Sequence, residues 1–82
     1  MSQLHSKNVT IDGRRTSLRL EEEMWAALDE ICHDEGVTLH ELCTRIDRAR
    51  QAGSRTSTIR AFIVMYFRAK AKGEAPRWGV AG

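Results

Sequence analysis

The chain has 82 residues, 41% hydrophobic, 29% charged and 6% aromatic, with a formal net charge of +2; this describes one small domain, too short for two cores or for the enclosed active site of most enzyme folds. Domains of this size bury only about 60–65% of the surface that their unfolded chains expose, and they commonly draw on a disulfide, a metal or a second subunit. Two cysteines make a poor disulfide framework, no apolar run approaches the roughly 18 residues of a membrane span, and the opening seven residues lack a signal peptide's apolar stretch, so a reducing, cytoplasmic setting is expected.

Residues 1–7 are expected to be a flexible N-terminus, 8–72 the folded domain and 73–82 a flexible tail. From Asn8 to Leu20, short β-favouring runs flank Asp12-Gly13, a pair that supplies the two positive φ values of a type I′ turn. After the turn Thr16, Leu18 and Leu20 alternate with Arg15, Ser17 and Arg19, giving a strand with one apolar face and one cationic, hydrogen-bonding face. Basic residues on an exposed strand also protect against aggregation, which is the plainer reading of the same row.

At Glu21 the period becomes helical. Met24, Ala27, Leu28, Ile31 and Cys32 form one stripe, glutamates in the first turn suit the positive end of the helix dipole, and Gly36 reads as the residue that ends the helix after Glu35. Thr38-Leu39-His40-Glu41 fits a reciprocal capping box, so a second helix starts at about Leu39, buries Leu39, Leu42, Cys43 and Ile46, turns basic at Arg45, Arg48 and Arg50, and stops at Gly53-Ser54. A third helix, capped by Thr56 or Ser57, carries Ile59, Phe62, Ile63, Tyr66 and Phe67 on one broad face suited to a core or a dimer interface. The tail contains Pro76 and Trp78.

Chemistry has few candidates. Cys32, His33, His40 and Cys43 fall close together, but only His40 and Cys43 share a helical face, and Cys43 lies in the apolar stripe; core packing is the expectation, with no metal and no cofactor. His40-Glu41-Leu42-Cys43-Thr44 lacks the second histidine of a zinc-protease motif, and there is no nucleophile elbow or phosphate-cradling loop, so no enzyme is expected. Charge is more informative. Residues 1–20 carry four Lys or Arg against one Asp, residues 21–35 carry seven carboxylates and no Lys or Arg, and the remainder has nine cations against three carboxylates. That segregation suggests one basic face for a polyanion and an acidic face turned away from it.

The order of strand, acidic helix, Gly turn and capped second helix resembles that of bacterial ribbon-helix-helix DNA-binding proteins of the Arc and MetJ superfamily. The residues that carry the resemblance are Ser17-Leu18-Arg19-Leu20, Glu21-Glu22-Glu23-Met24-Trp25 and Gly36-Val37-Thr38-Leu39-His40-Glu41, over about Arg15 to Ile46. Gly13-Arg14-Arg15-Thr16-Ser17-Leu18-Arg19-Leu20 is similar to the Gly-x-Arg-Thr-Ser-x-x-Leu stretch of short members with an extra C-terminal helix. The resemblance implies a mainly α fold with an N-terminal β-ribbon, and a homodimer in which strand 15–20 pairs antiparallel with its symmetry mate and enters the major groove of double-stranded DNA. Arg15, Ser17 and Arg19 then correspond to base readers, and Thr38, Leu39 and His40 to phosphate anchors at the second helix's N-terminus.

This chain departs from that pattern in two ways. Asn8 to Ile11 implies an extra strand on the ribbon, and four strands are wider than a major groove of about 12 Å; the outer strands therefore stop short, peel away as basic arms, or impose another way of docking. A third helix also follows the usual two, and could enlarge the dimer or receive another protein. The resemblance implies a transcriptional regulator, a repressor, that assembles as a dimer or higher oligomer on DNA without any membrane association; the alternative is a protein-binding antitoxin or adaptor on the same scaffold.

Overall fold

The computed structural model describes residues 3–75, arranged as β1 (Leu4–Ile11), β2 (Arg14–Glu21), α1 (Glu22–Glu35), α2 (Leu39–Arg48) and α3 (Arg55–Ala71). Residues 1, 2 and 76–82, which include Pro76 and Trp78, lie outside that range. The two strands form an antiparallel hairpin whose register runs from Ile11 opposite Arg14 to Leu4 opposite Glu21. Its turn is Asp12-Gly13, with φ of 50° and 77°; two positive values match the right-handed twist of the strands that they join. The first strand begins at Leu4, four residues before the expected start at Asn8. Pairing with β2 defines those residues, and Trp25 Nε1 donates to the His5 carbonyl at 3.0 Å while Lys7 Nζ lies 5.0 Å from the Trp25 ring centre.

Alternation along both strands puts Val9, Ile11, Leu18 and Leu20 into one core. Helix α1 follows β2 without a loop and contributes Trp25, Leu28 and Ile31 to the core, with Met24, Ala27 and Cys32 only partly buried beside them. The buried stripe is thus centred one position away from the one expected, and Trp25 belongs to it. Gly36, at φ 68°, closes the helix in the left-handed conformation, donating its N–H to the Cys32 carbonyl.

Thr38 caps α2 by accepting the Glu41 N–H at 3.1 Å, but the reciprocal half of the capping box is replaced: the Glu41 carboxylate pairs with Arg45 at 2.9 Å. Leu42, Cys43 and Ile46 are buried and Leu39 partly so, as the periodicity predicts. The helix ends at Arg48, short of the expected stop at Gly53. Asp47 explains the early end, because it takes both Arg50, at 3.2 Å, and Arg55, at 3.0 Å, folding the linker back on itself. The cap of α3 is Ser54, which accepts the Ser57 N–H at 3.1 Å, rather than Thr56 or Ser57.

Helix α3 buries Ile59, Phe62, Ile63 and Tyr66, with Phe67 partly buried, and runs in the same sense as α1. Arg60 pairs with Glu21 at the start of α1, and Tyr66 and Lys70 bond Glu35 and Asp34 at its end. Backbone hydrogen bonding and the Arg60 guanidinium hold the Glu21 carboxyl below its usual range; burial, then the Glu35 hydrogen bond, push the Tyr66 hydroxyl up. The expected division into basic and acidic faces is therefore incomplete, since part of the acidic helix is used internally to neutralise α3. No helix among the described residues is long and apolar enough to cross a membrane.

One further set of contacts fixes the sheet. The outer edge of β1 faces α2, where His40 Nδ1 accepts the Thr10 N–H at 2.9 Å, Thr44 Oγ1 accepts the Asp12 N–H at 3.2 Å, and Arg48 donates twice to Asp12 Oδ1 at 3.1 and 2.8 Å. Residues 40, 44 and 48 repeat every four positions and so form one row along the helix. Because Nδ1 accepts, the imidazole proton resides on Nε2.

Two measurements test this packing. Replacing fully buried Leu28 with Ala should cost about 2–5 kcal/mol, read as a lowered urea midpoint at fixed protein concentration. His40→Ala should cost only about 0.5–1.5 kcal/mol, yet hydrogen exchange followed by NMR should show the Thr10 amide losing protection while the amide of Val9, which points into the ladder, keeps it. Equal loss at both positions would mean that His40 supports the whole hairpin rather than one edge bond.

Candidate nucleic-acid interface

Strand β2 presents the residues that the sequence singles out. Leu18 and Leu20 are buried, whereas Arg15, Ser17 and Arg19 are all exposed on the opposite face. At about 3.3 Å per residue, Arg15 and Arg19 stand about 13 Å apart along the strand, close to four base-pair rises of about 3.4 Å. The register adds a second row that the sequence reading did not assign: Thr10 lies opposite Arg15, Asn8 opposite Ser17 and Ser6 opposite Arg19, all exposed. Its signal was the alternation of Ser6, Asn8 and Thr10 with Lys7, Val9 and Ile11.

The electrostatics separate these arginines from most of the others. Arg45, Arg48, Arg50, Arg55, Arg60 and Lys70 each have a carboxylate partner. Arg14, Arg15 and Arg19 pair with no carboxylate among the described residues. Arg68 and Lys72 are likewise without one, but they border the apolar side chains of Ala61, Val64 and Met65 at the end of α3 rather than a hydrogen-bonding face. Arg48 and Arg50, basic residues at the far end of the second helix, are bound to Asp12 and Asp47 and so belong to the scaffold.

At the start of α2, the three expected anchors differ in what they have free. Thr38 Oγ1 is occupied by the Glu41 N–H, and the Leu42 N–H bonds the Thr38 carbonyl at 2.9 Å. The His40 ring is occupied by Thr10, and the Leu39 side chain packs against the core. What remains is the backbone: the N–H groups of Leu39 and His40 have no acceptor among the described residues, and they lie at the positive end of the helix dipole. The first turn of α2 and the outward face of β2 lie on either side of β1, which joins them through Thr10.

The strand edges are unequal as well. With Ile11 and Arg14 closing the turn, the ladder turns the backbone groups of Arg15, Ser17 and Arg19 away from β1. Those groups have no hydrogen-bond partner among the described residues, so β2 keeps an open edge, whereas α2 engages the outer edge of β1 at its turn end, through Thr10 and Asp12. The expectation that the outer strand is short or peels away as an arm is not met, since all eight residues of β1 are in register with β2 and its edge is tied at Thr10 and Asp12.

No group of three or more His, Cys, Asp or Glu side chains among the described residues is placed to hold a metal ion. Burial pushes the Cys43 thiol up to about 12, with Cys32 and Asp47 adding to the effect. A thiol held protonated in a core is neither a ready nucleophile nor a ready ligand.

Comparison with known proteins agrees with this architecture. A search of the curated proteins finds no match. Among solved structures, an uncharacterized protein from Bordetella pertussis Tohama I superposes with a TM-score of 0.74 at 26% sequence identity, over 98% of this chain and 68% of that one. A family model described as a ribbon-helix-helix domain matches residues 4–67, from the start of β1 into the last turns of α3. Such domains form a non-enzymatic regulatory fold, found in DNA-binding regulators, typically dimeric on DNA, and in antitoxins. With the hairpin, the two following helices and most of the third inside that match, the chain belongs to the ribbon-helix-helix domain family.

Proposed function

We propose that this protein is a bacterial, cytoplasmic transcriptional regulator, a repressor, which binds a short pseudo-palindromic DNA site as a homodimer. The observation that carries the reading is the exposed row Arg15, Ser17 and Arg19, whose arginines have no carboxylate partner among the described residues. Arginine can bind guanine O6 and N7 with both arms of its guanidinium, and serine accepts a wider range of partners. The open edge of β2 supplies the dimer contact. A second copy adding its own β2 antiparallel would satisfy both edges and place two sets of readers about a two-fold axis. Leu39 and His40 would hold phosphate through their backbone N–H groups, with Thr38 keeping that turn in shape.

A second reading, a protein-binding antitoxin or adaptor on the same scaffold, draws on the outer face of α3, where Val64 is 52% and Met65 37% exposed. It predicts a protein partner that covers those side chains, and no preference among DNA sequences.

The dimer is tested by sedimentation at micromolar concentration, where a folded monomer would remove the basis for a shared ribbon. Reading is tested by comparing specific with random duplexes at matched salt. Arg19→Ala should cost about 1–3 kcal/mol on the preferred site and relax the preference at one base pair per half-site. Thr38→Ala should instead weaken binding to all sequences together. An unchanged ratio of specific to random affinity in Arg19→Ala, or no preference in the wild type, would move the protein-binding reading ahead.

A further inference from the structure

We propose that β1 is an uncharged phosphate rail: Ser6, Asn8 and Thr10 hydrogen-bond the two phosphate backbones that wall the major groove, while β2 alone reaches the bases. The inference rests on the DNA reading above and explains how a four-stranded sheet can use a groove made for two. In the order β1, β2, partner β2, partner β1, the central axes lie about 4.8 Å apart and the outer axes about 14 Å apart. A major groove is about 12 Å wide and about 8.5 Å deep. The central pair therefore sits within the groove, and the outer strands lie over its walls.

Side-chain length follows the same profile. Along β2 the long Arg15 and Arg19 can reach down toward a deep floor, while their cross-strand neighbours Thr10 and Ser6, and Asn8 beside Ser17, are all short. Short side chains there let the outer strands lie close over the sugar-phosphate walls. The chemistry matches too, since hydroxyl and carboxamide groups donate hydrogen bonds to phosphate oxygens. All three residues are exposed, and their side chains have no hydrogen-bond partner among the described residues. The rail is also held in place: the bonds from Thr10 to His40 and from Asp12 to Thr44 prevent β1 from swinging aside as it meets the backbone.

Neutral contacts leave a distinctive signature, because they displace no counterions. The full-length chain carrying Ser6→Ala, Asn8→Ala and Thr10→Ala together should bind preferred and random duplexes more weakly by a similar factor, roughly tenfold or more, with the slope of log affinity against log salt unchanged. Asn8→Lys provides a gain that misfolding cannot imitate: tighter binding to both duplexes and a slope steeper by about two per dimer. A change in base preference in the triple variant would mean that β1 reads bases, and unchanged affinity would mean that it is off the DNA; either result overturns the rail, as does an Asn8→Lys protein with wild-type affinity and slope. Arg19→Ala in the same assay separates the two levels. If it lowers the specific-to-random ratio while the rail test fails, only the rail falls; if it leaves that ratio unchanged, the DNA reading falls first.

Discussion

The behaviour of the sheet depends on a row of side chains along α2. His40, Thr44 and Arg48 occupy one line of the helix and satisfy, in turn, the Thr10 amide, the Asp12 amide and the Asp12 carboxylate. An isolated two-stranded hairpin is marginal in water, and an open strand edge invites pairing with other chains. Side chains of α2 hold the turn end of the β1 edge, whereas no contact among the described residues holds the outer edge of β2. Pairing with β2 keeps β1 in register along eight residues, so the outward face has two rows of side chains rather than one.

Charge is distributed by the same economy of contacts. Exposed ion pairs contribute only about 0–1 kcal/mol each, so the pairs on α2 and α3 add little individually to stability. Their larger consequence is which cations remain without a partner. Asp12, Glu21, Asp34, Glu41 and Asp47 between them engage the basic side chains of α2, of the following linker and of much of α3. Arg15 and Arg19 stay outside that network, on a strand face already populated by hydroxyl and amide groups. A polyanion approaching the molecule meets uncompensated positive charge and hydrogen-bonding capacity on the same surface.

The helices also set apart two kinds of contact. Residues of a rigid strand keep fixed spacing, which suits recognition of regularly spaced bases, whereas a helix N-terminus offers backbone donors that are indifferent to sequence. In the proposed complex these tasks fall to β2 and to the first turn of α2, with β1 between them. The exposed apolar face at the end of α3 takes no part in that division.

Much of this was legible in the sequence because local periodicity encodes it. Alternation separated Leu18 and Leu20 from Arg15, Ser17 and Arg19; Asp12-Gly13 and Gly36 marked positions of positive φ; the stripes of α2 and α3 named their buried residues; and Thr38 announced its cap. Each of these signals arises from residues within a few positions of one another, where backbone geometry leaves few choices. Tertiary structure decided the rest. Trp25 joined the core because the His5 carbonyl lay within reach of its indole, Asp47 shortened α2 by gathering two arginines, and Arg60, Tyr66 and Lys70 drew the carboxylates of β2 and α1 inward. His40, read as part of a phosphate anchor, gave its ring to a strand amide thirty residues away. No local pattern specifies such partners, because a hydrogen-bonding side chain is compatible with many acceptors and donors until folding brings one within about 3 Å.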